Sequence, residues 1–145
     1  MSSILLPLHL TFVGVWLGCI LTEALFERAL LGNGRDKELI LARLHKRVDV
    51  IVEIPAFVIV LFTGALMLDM ANLGTLLIIK IALGVLAIIT NIYCVWLVFR
   101  RASAAETENW QEFERLDYQQ HIWGAVVLLA VVAALVVGLY RLVSL

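Results

Sequence analysis

Leu44–Leu68, LHKRVDVIVEIPAFVIVLFTGALML, opens on a basic collar of His45, Lys46 and Arg47. It then carries Asp49 and Glu53 into an apolar run that contains one proline and one glycine and no further charge. The run is long enough to cross a hydrocarbon core as a helix. An ionisable side chain there costs about 3 kcal/mol even on the most lenient scales, so the two carboxylates call for a use. His45, Asp49 and Glu53 are four residues apart and share one helical face. Pro55 frees a backbone carbonyl near Ile51, which a helix in a bundle tolerates where neighbours or water re-satisfy it. Gly64 and Ala65 offer a thin surface for close helix approach.

Three further stretches have the same character, so the chain reads as four spans: residues 4–27, 48–68, 73–98 and 122–142. With 145 residues, 63% of them hydrophobic and only 16% charged, the chain is too apolar for a soluble globule and of single-domain length. The expected fold is all-α, an integral membrane four-helix bundle over residues 1–145. A signal peptide is a poor reading of the first stretch, which lacks a basic leader and is too long for a signal core. Cys19 and Cys94 fall inside predicted helices with no CxxC or Cys/His spacing around them, and read as buried thiols.

The net charge of −1 hides an asymmetry. Arg28, Arg35, Lys37, Arg43, Lys46 and Arg47 follow the first span, and Arg100, Arg101 and Arg115 follow the third. The positive-inside rule then puts both longer loops in the cytoplasm and both termini on the outer, periplasmic side of a bacterial inner membrane. No basic patch with interleaved aromatics argues for nucleic acid.

Outward from the opening stretch, the polar residues sort by depth. His9, Trp16 and Glu23 recur at intervals of seven on one stripe of the first span, with Cys19 close to it. Lys80, Gly84, Ala87 and Asn91 share a face of the third. Residues 37–46 read as an interfacial helix, residues 100–118 as a polar loop, and the fourth span starts with Asp117, Gln120, His121 and Gly124 on one face. The connection 69–74 is short, which predicts that the second and third spans are antiparallel neighbours. His9 and Lys80 fall in the outer half. Glu23, His45, Asp49, Glu53, Asn91 and His121 come from all four spans into the inner half, where a bundle builds its sites.

Three chemistries fit these sets. A b-type haem needs neutral imidazoles from helices a bundle-width apart, and His45 with His121, or His9 alone, can supply them. Two imidazoles, His45 and His121, with Glu23, Asp49 and Glu53 form a mixed N/O set that suits copper, iron or zinc, and His9 is a further candidate metal ligand in the outer half. An acidic stripe can also relay protons or ions. Against these stand plainer roles: solvation of His45 beside its basic neighbours, capping by His121, packing by Trp16 and snorkelling by Lys80.

His9 with Trp16 seven residues on, then Arg47, Pro55–Ala56, Gly64 and Lys80, form a layout that resembles the HemJ-type protoporphyrinogen oxidases and the related CopD-like copper-resistance membrane proteins. The resemblance implies a small four-helix haem b protein with His9 and Lys80 in the active site, acting in electron transfer or a haem-dependent oxidation. It also implies Trp16 and Arg47 beside the cofactor, one or two haems, and quinone or a respiratory-chain partner as the electron sink. The chain departs from the pattern at His45, where the family has an acid before its arginine, at Asn91, where it has a histidine, and near His121. These swaps favour a shifted or additional haem or metal site. A transition-metal binding or transport protein is the alternative, and an accessory subunit of a respiratory complex a third; self-association is compatible with each.

Overall fold

The computed structural model of the chain describes residues 2–144, and the described residues contain helices and turns but no strand. α1 runs Ser2–Leu30, α2 Arg35–Val48, α3 Ile54–Leu66, α4 Thr75–Glu106 and α5 Trp110–Val143. A π-helical turn, Asp49–Glu53, joins α2 to α3, so 35–66 is one continuous helix. Four helices result that are long and apolar enough to cross a membrane, as expected of a multi-pass protein.

The π turn is what the opening stretch becomes. Ile54 N–H reaches the carbonyl of Asp49, five residues back rather than four. Pro55, which has no N–H to give, stands where the wider turn returns to α geometry, the first-turn position at which proline is tolerated. Single π turns of this kind gather at functional sites, and this one carries Asp49 and Glu53, both buried.

Close backbone packing pairs α4 with α5, α1 with α3, and α2 with α4. The second and third membrane-length helices are neighbours as expected, but the close backbone approach is made by α2 against α4, while α3 packs most closely on α1. Residues 67–74 are no constraint on packing: Asp69 closes a local turn there, accepting from Ala71 N at 3.0 Å and Asn72 Nδ2 at 2.8 Å. The Asn72 amide first, and then the Ala71 N–H, hold the Asp69 carboxyl below its ordinary range. The main core joins all four helices through Trp16, Ala56, Phe57, Ala87 and Val127, with Trp16 tilted on Phe57 at 5.9 Å between ring centres.

Two expected boundaries move. Residues 100–118 are not a loop: α4 runs on to Glu106 and α5 begins at Trp110, leaving a turn at 107–109. A second core explains the extension, since Ala102, Ala105, Phe113 and Leu116, all beyond the apolar spans, bury with Leu97 against Ala42 of α2. Asn109 caps α5 by accepting from Glu112 N at 3.3 Å. Likewise, 37–46 is helical as expected, but continues into the second span without a break.

Candidate functional site

The polar residues expected in the inner half meet at the end of the bundle remote from both termini. They line a cavity of about 540 Å³, whose walls include Glu23, His45, Asp49, Glu53, Asn91 and His121. Every one of these except His121 is buried.

His45 is the hub. Its Nε2 lies 3.2 Å from Glu23 Oε2 and 3.7 Å from Asp49 Oδ1. Its Nδ1 lies 3.2 Å from Glu27 Oε1 and 2.9 Å from an Arg101 amino nitrogen, and the Gln120 amide nitrogen stands 3.3 Å from both ring nitrogens. A guanidinium has donors only. The Arg101 contact therefore belongs to the tautomer with the lone pair on Nδ1 and the proton on Nε2, where Glu23 accepts it. In the other tautomer Nδ1–H faces Glu27 and the Nε2 lone pair faces Glu23 and Asp49.

Arg101 organises the acids behind His45. Its side chain is fully buried and binds Glu27 at 2.7 Å and Asp117 at 2.5 Å. Among the described residues, two groups of side chains bring metal-ligating atoms within 4.8 Å of one another: Glu23, His45 and Asp49, and Glu27, Asp117 and His121. They differ in charge balance. The second already holds the Arg101 cation between its two carboxylates. In the first, neither oxygen of Asp49 has a hydrogen-bond partner among the described residues although the side chain is sealed from solvent. Asn91 Nδ2 and Gln120 Oε1 are buried and unpartnered in the same sense, and both residues line the cavity.

His121 sits at the rim, half exposed. Its Nδ1 is 2.8 Å from the Asp117 carbonyl and so carries a proton that it donates, which leaves Nε2 free. Glu53 lines the cavity wall one helical step beyond Asp49. Arg47 lies exposed on α2, away from the cavity lining. Trp16 is core packing with its indole N–H unpartnered among the described residues.

In the half nearer the termini, His9 and Lys80 are placed apart from this cavity. His9 is buried, with Nδ1 2.8 Å from Thr63 Oγ1. Thr63 gives its hydroxyl proton to the Ile59 carbonyl at 2.7 Å. In that arrangement His9 Nδ1 is the donor and its Nε2 keeps a lone pair; with the hydroxyl turned to the ring, Nδ1 accepts instead. Gly64 gives the ring room, since a Cβ there would stand 3.3 Å from His9 Cε1. Half-buried Lys80 lays its stem along Gly138, where an added Cβ would come within 3.1 Å of Cε.

The sequence reading missed Arg101 and Glu27. Each had a signal. Glu27 is four residues after Glu23, and Arg101 continues the stripe of Asn91, Cys94 and Val98 at steps of three and four, once the third span is carried past 98.

Comparison with protein-family models, with curated proteins and with solved structures gives no match to this chain.

Proposed function

We propose that the chain is an integral membrane protein that binds a divalent transition-metal ion inside its bundle, through Glu23, His45 and Asp49. The observation that carries this is Asp49: a carboxyl group sealed from solvent with no hydrogen-bond partner among the described residues, 3.7 Å from the His45 imidazole and beside the Glu23 carboxyl group. Donor spacing supports the reading. A tetrahedral shell with arms of about 2.1 Å separates neighbouring donors by about 3.4 Å, and His45 Nε2 stands 3.2 Å from Glu23 and 3.7 Å from Asp49. Two carboxylates balance a divalent charge, which relieves a burial that is otherwise costly. Glu27 Oε1, 3.2 Å from Nδ1, accepts its proton in the tautomer that frees Nε2 for the ion, once the Arg101 amino group now 2.9 Å from Nδ1 turns wholly to Glu27, an arrangement usual behind metal-bound histidines. The N/O donor set suits zinc, iron or copper(II).

The test is cobalt(II) loading of the detergent-purified protein. Tetrahedral coordination gives an intense visible absorption that Asp49→Asn abolishes and His121→Ala leaves in place. A wild-type protein that stays colourless under cobalt refutes the site.

A second reading, haem b at His9 with Lys80 nearby in a protoporphyrinogen oxidase-like oxidation, is favoured by one observation: a donor His9 Nδ1 toward Thr63, with the Thr63 hydroxyl on the Ile59 carbonyl, leaves Nε2 available to iron. The acidic inner cavity favours a cation over a dianionic macrocycle, so this reading belongs to the half nearer the termini. A Soret band that shifts on reduction and is lost in His9→Ala supports it; a haem-free preparation from haem-replete cells sinks it.

A further inference from the structure

The cavity above the Glu23, His45 and Asp49 floor is far larger than an ion needs. At about 540 Å³ it is in the range of pockets that hold organic ligands. Its opening has a direction. The lining residues contributed by α2, the π turn and α4 (His45, Asp49, Glu53, Asn91, Cys94 and Val98) are all buried. The exposed ones, Leu21, Ala24 and Arg28 on one side and His121 and Ala125 on the other, belong only to α1 and α5. The mouth is therefore a slot between α1 and α5. From Arg28 to Leu21 the slot descends about 10 Å along an apolar span, at about 1.5 Å per residue, so it faces the bilayer rather than the loops.

The slot walls are apolar, with Ile20, Leu21, Val127 and Leu128 among them, and the floor is polar. Asn91 and Gln120 line the same cavity, and Asn91 Nδ2, a donor, and Gln120 Oε1, an acceptor, are buried without a hydrogen-bond partner among the described residues. Three protein ligands also leave a tetrahedral ion one open position, as in zinc sites that work on a substrate. A head group that meets all three needs carries two neighbouring oxygens, at least one of them a hydroxyl. One oxygen coordinates the ion, a hydroxyl donates to Gln120, and the other oxygen accepts from Asn91.

We infer that the cavity takes a lipid-soluble vicinal diol, admitted from the bilayer between α1 and α5, with its head on the metal floor and its chain in the slot. The inference rests on the metal reading for its floor, and on the exposure pattern of the lining for its portal. The same head chemistry occurs on aliphatic glycerol-type lipids and on aromatic catechols, so probes of both kinds are needed.

The experiment is native mass spectrometry of the full chain in detergent, counting zinc and probe adducts together, with dodecane-1,2-diol, 4-dodecylcatechol and dodecane as probes. Gly124 lies on the cavity wall, and a Cβ there meets nothing within 4 Å, so Gly124→Leu narrows the slot without strain. Ala24→Phe does so from the α1 side. Zinc-loaded wild type is expected to bind one of the diols about tenfold more tightly than the zinc-free protein, and the tighter of the two identifies the aliphatic or the aromatic source. Both portal variants keep zinc and bind that diol at least about tenfold more weakly. Zinc uptake with diol binding indifferent to both variants, or matched by dodecane, overturns the inference and leaves the metal site standing. A wild type that takes up no zinc overturns the metal site and, with it, this use of the cavity.

Discussion

Arg101→Met is the perturbation whose size the geometry fixes best. The Arg101 side chain has no solvent exposure, while Glu27 and Asp117, its partners at 2.7 and 2.5 Å, are only 11% and 14% exposed. A surface pair would contribute at most about 1 kcal/mol. Here removal of the guanidinium leaves two nearly buried carboxylates facing each other across the space it occupied, and breaking a buried pair from one side costs about 3–5 kcal/mol. For a chain of this length that corresponds to a fall in Tm of roughly 6–20 °C, at roughly 2–4 °C per kcal/mol. Thermal unfolding in detergent, followed by circular dichroism at 222 nm, measures it. Neutralising the stranded acids in the triple variant Arg101→Met, Glu27→Gln, Asp117→Asn should recover most of the loss, because the cost lies in uncompensated charge rather than in the vacated volume. An Arg101→Met protein that melts within about 2 °C of wild type would refute the reasoning, as would a triple variant no more stable than the single one.

Deleting Val52, an outward-facing residue of the π turn, should convert the turn to regular α-helix and rotate His45 and Asp49 together relative to α3, and so away from Glu23 on α1, which packs on α3; helix content by circular dichroism stays near wild type while metal uptake is lost, and retained uptake would show that the π turn does not place the ligands. Gly64→Val brings a branched side chain against the His9 ring, where a Cβ alone stands at 3.3 Å, so a destabilisation of about 1–3 kcal/mol is expected in a thermal melt. Asn109→Ala removes the cap on Glu112 N and should cost about 1 kcal/mol, read as a fall in Tm of roughly 2–4 °C.

The spans were legible in residue order because an apolar run of bilayer length has few other readings. The inner polar set was legible through helical spacing, which put Glu23, His45, Asp49, Glu53 and Asn91 at one depth, and the cavity gathers those five with His121 at its rim. What escaped was decided by tertiary burial. Residues 100–118 look like a solvated loop because Arg100, Arg101, Glu106, Glu112 and Glu114 are charged, yet Phe113 and Leu116 had a second core to join beyond the apolar stretches. Arg101 accordingly looked like one more topology charge, and its burial against Glu27 and Asp117 follows from two helices overrunning their apolar segments. The π turn was foreshadowed only by Pro55. A missing N–H marks where a ladder breaks, without saying whether the break is a kink or a wider turn.

Metal content of the purified protein tests the central claim most directly. After dialysis against zinc with a weak competing chelator, elemental analysis should find about one zinc per wild-type chain, a similar content in His121→Ala, and less than about a tenth as much in Asp49→Asn and His45→Ala. A wild-type chain without zinc, or zinc that persists when Asp49 and His45 are replaced, would contradict it.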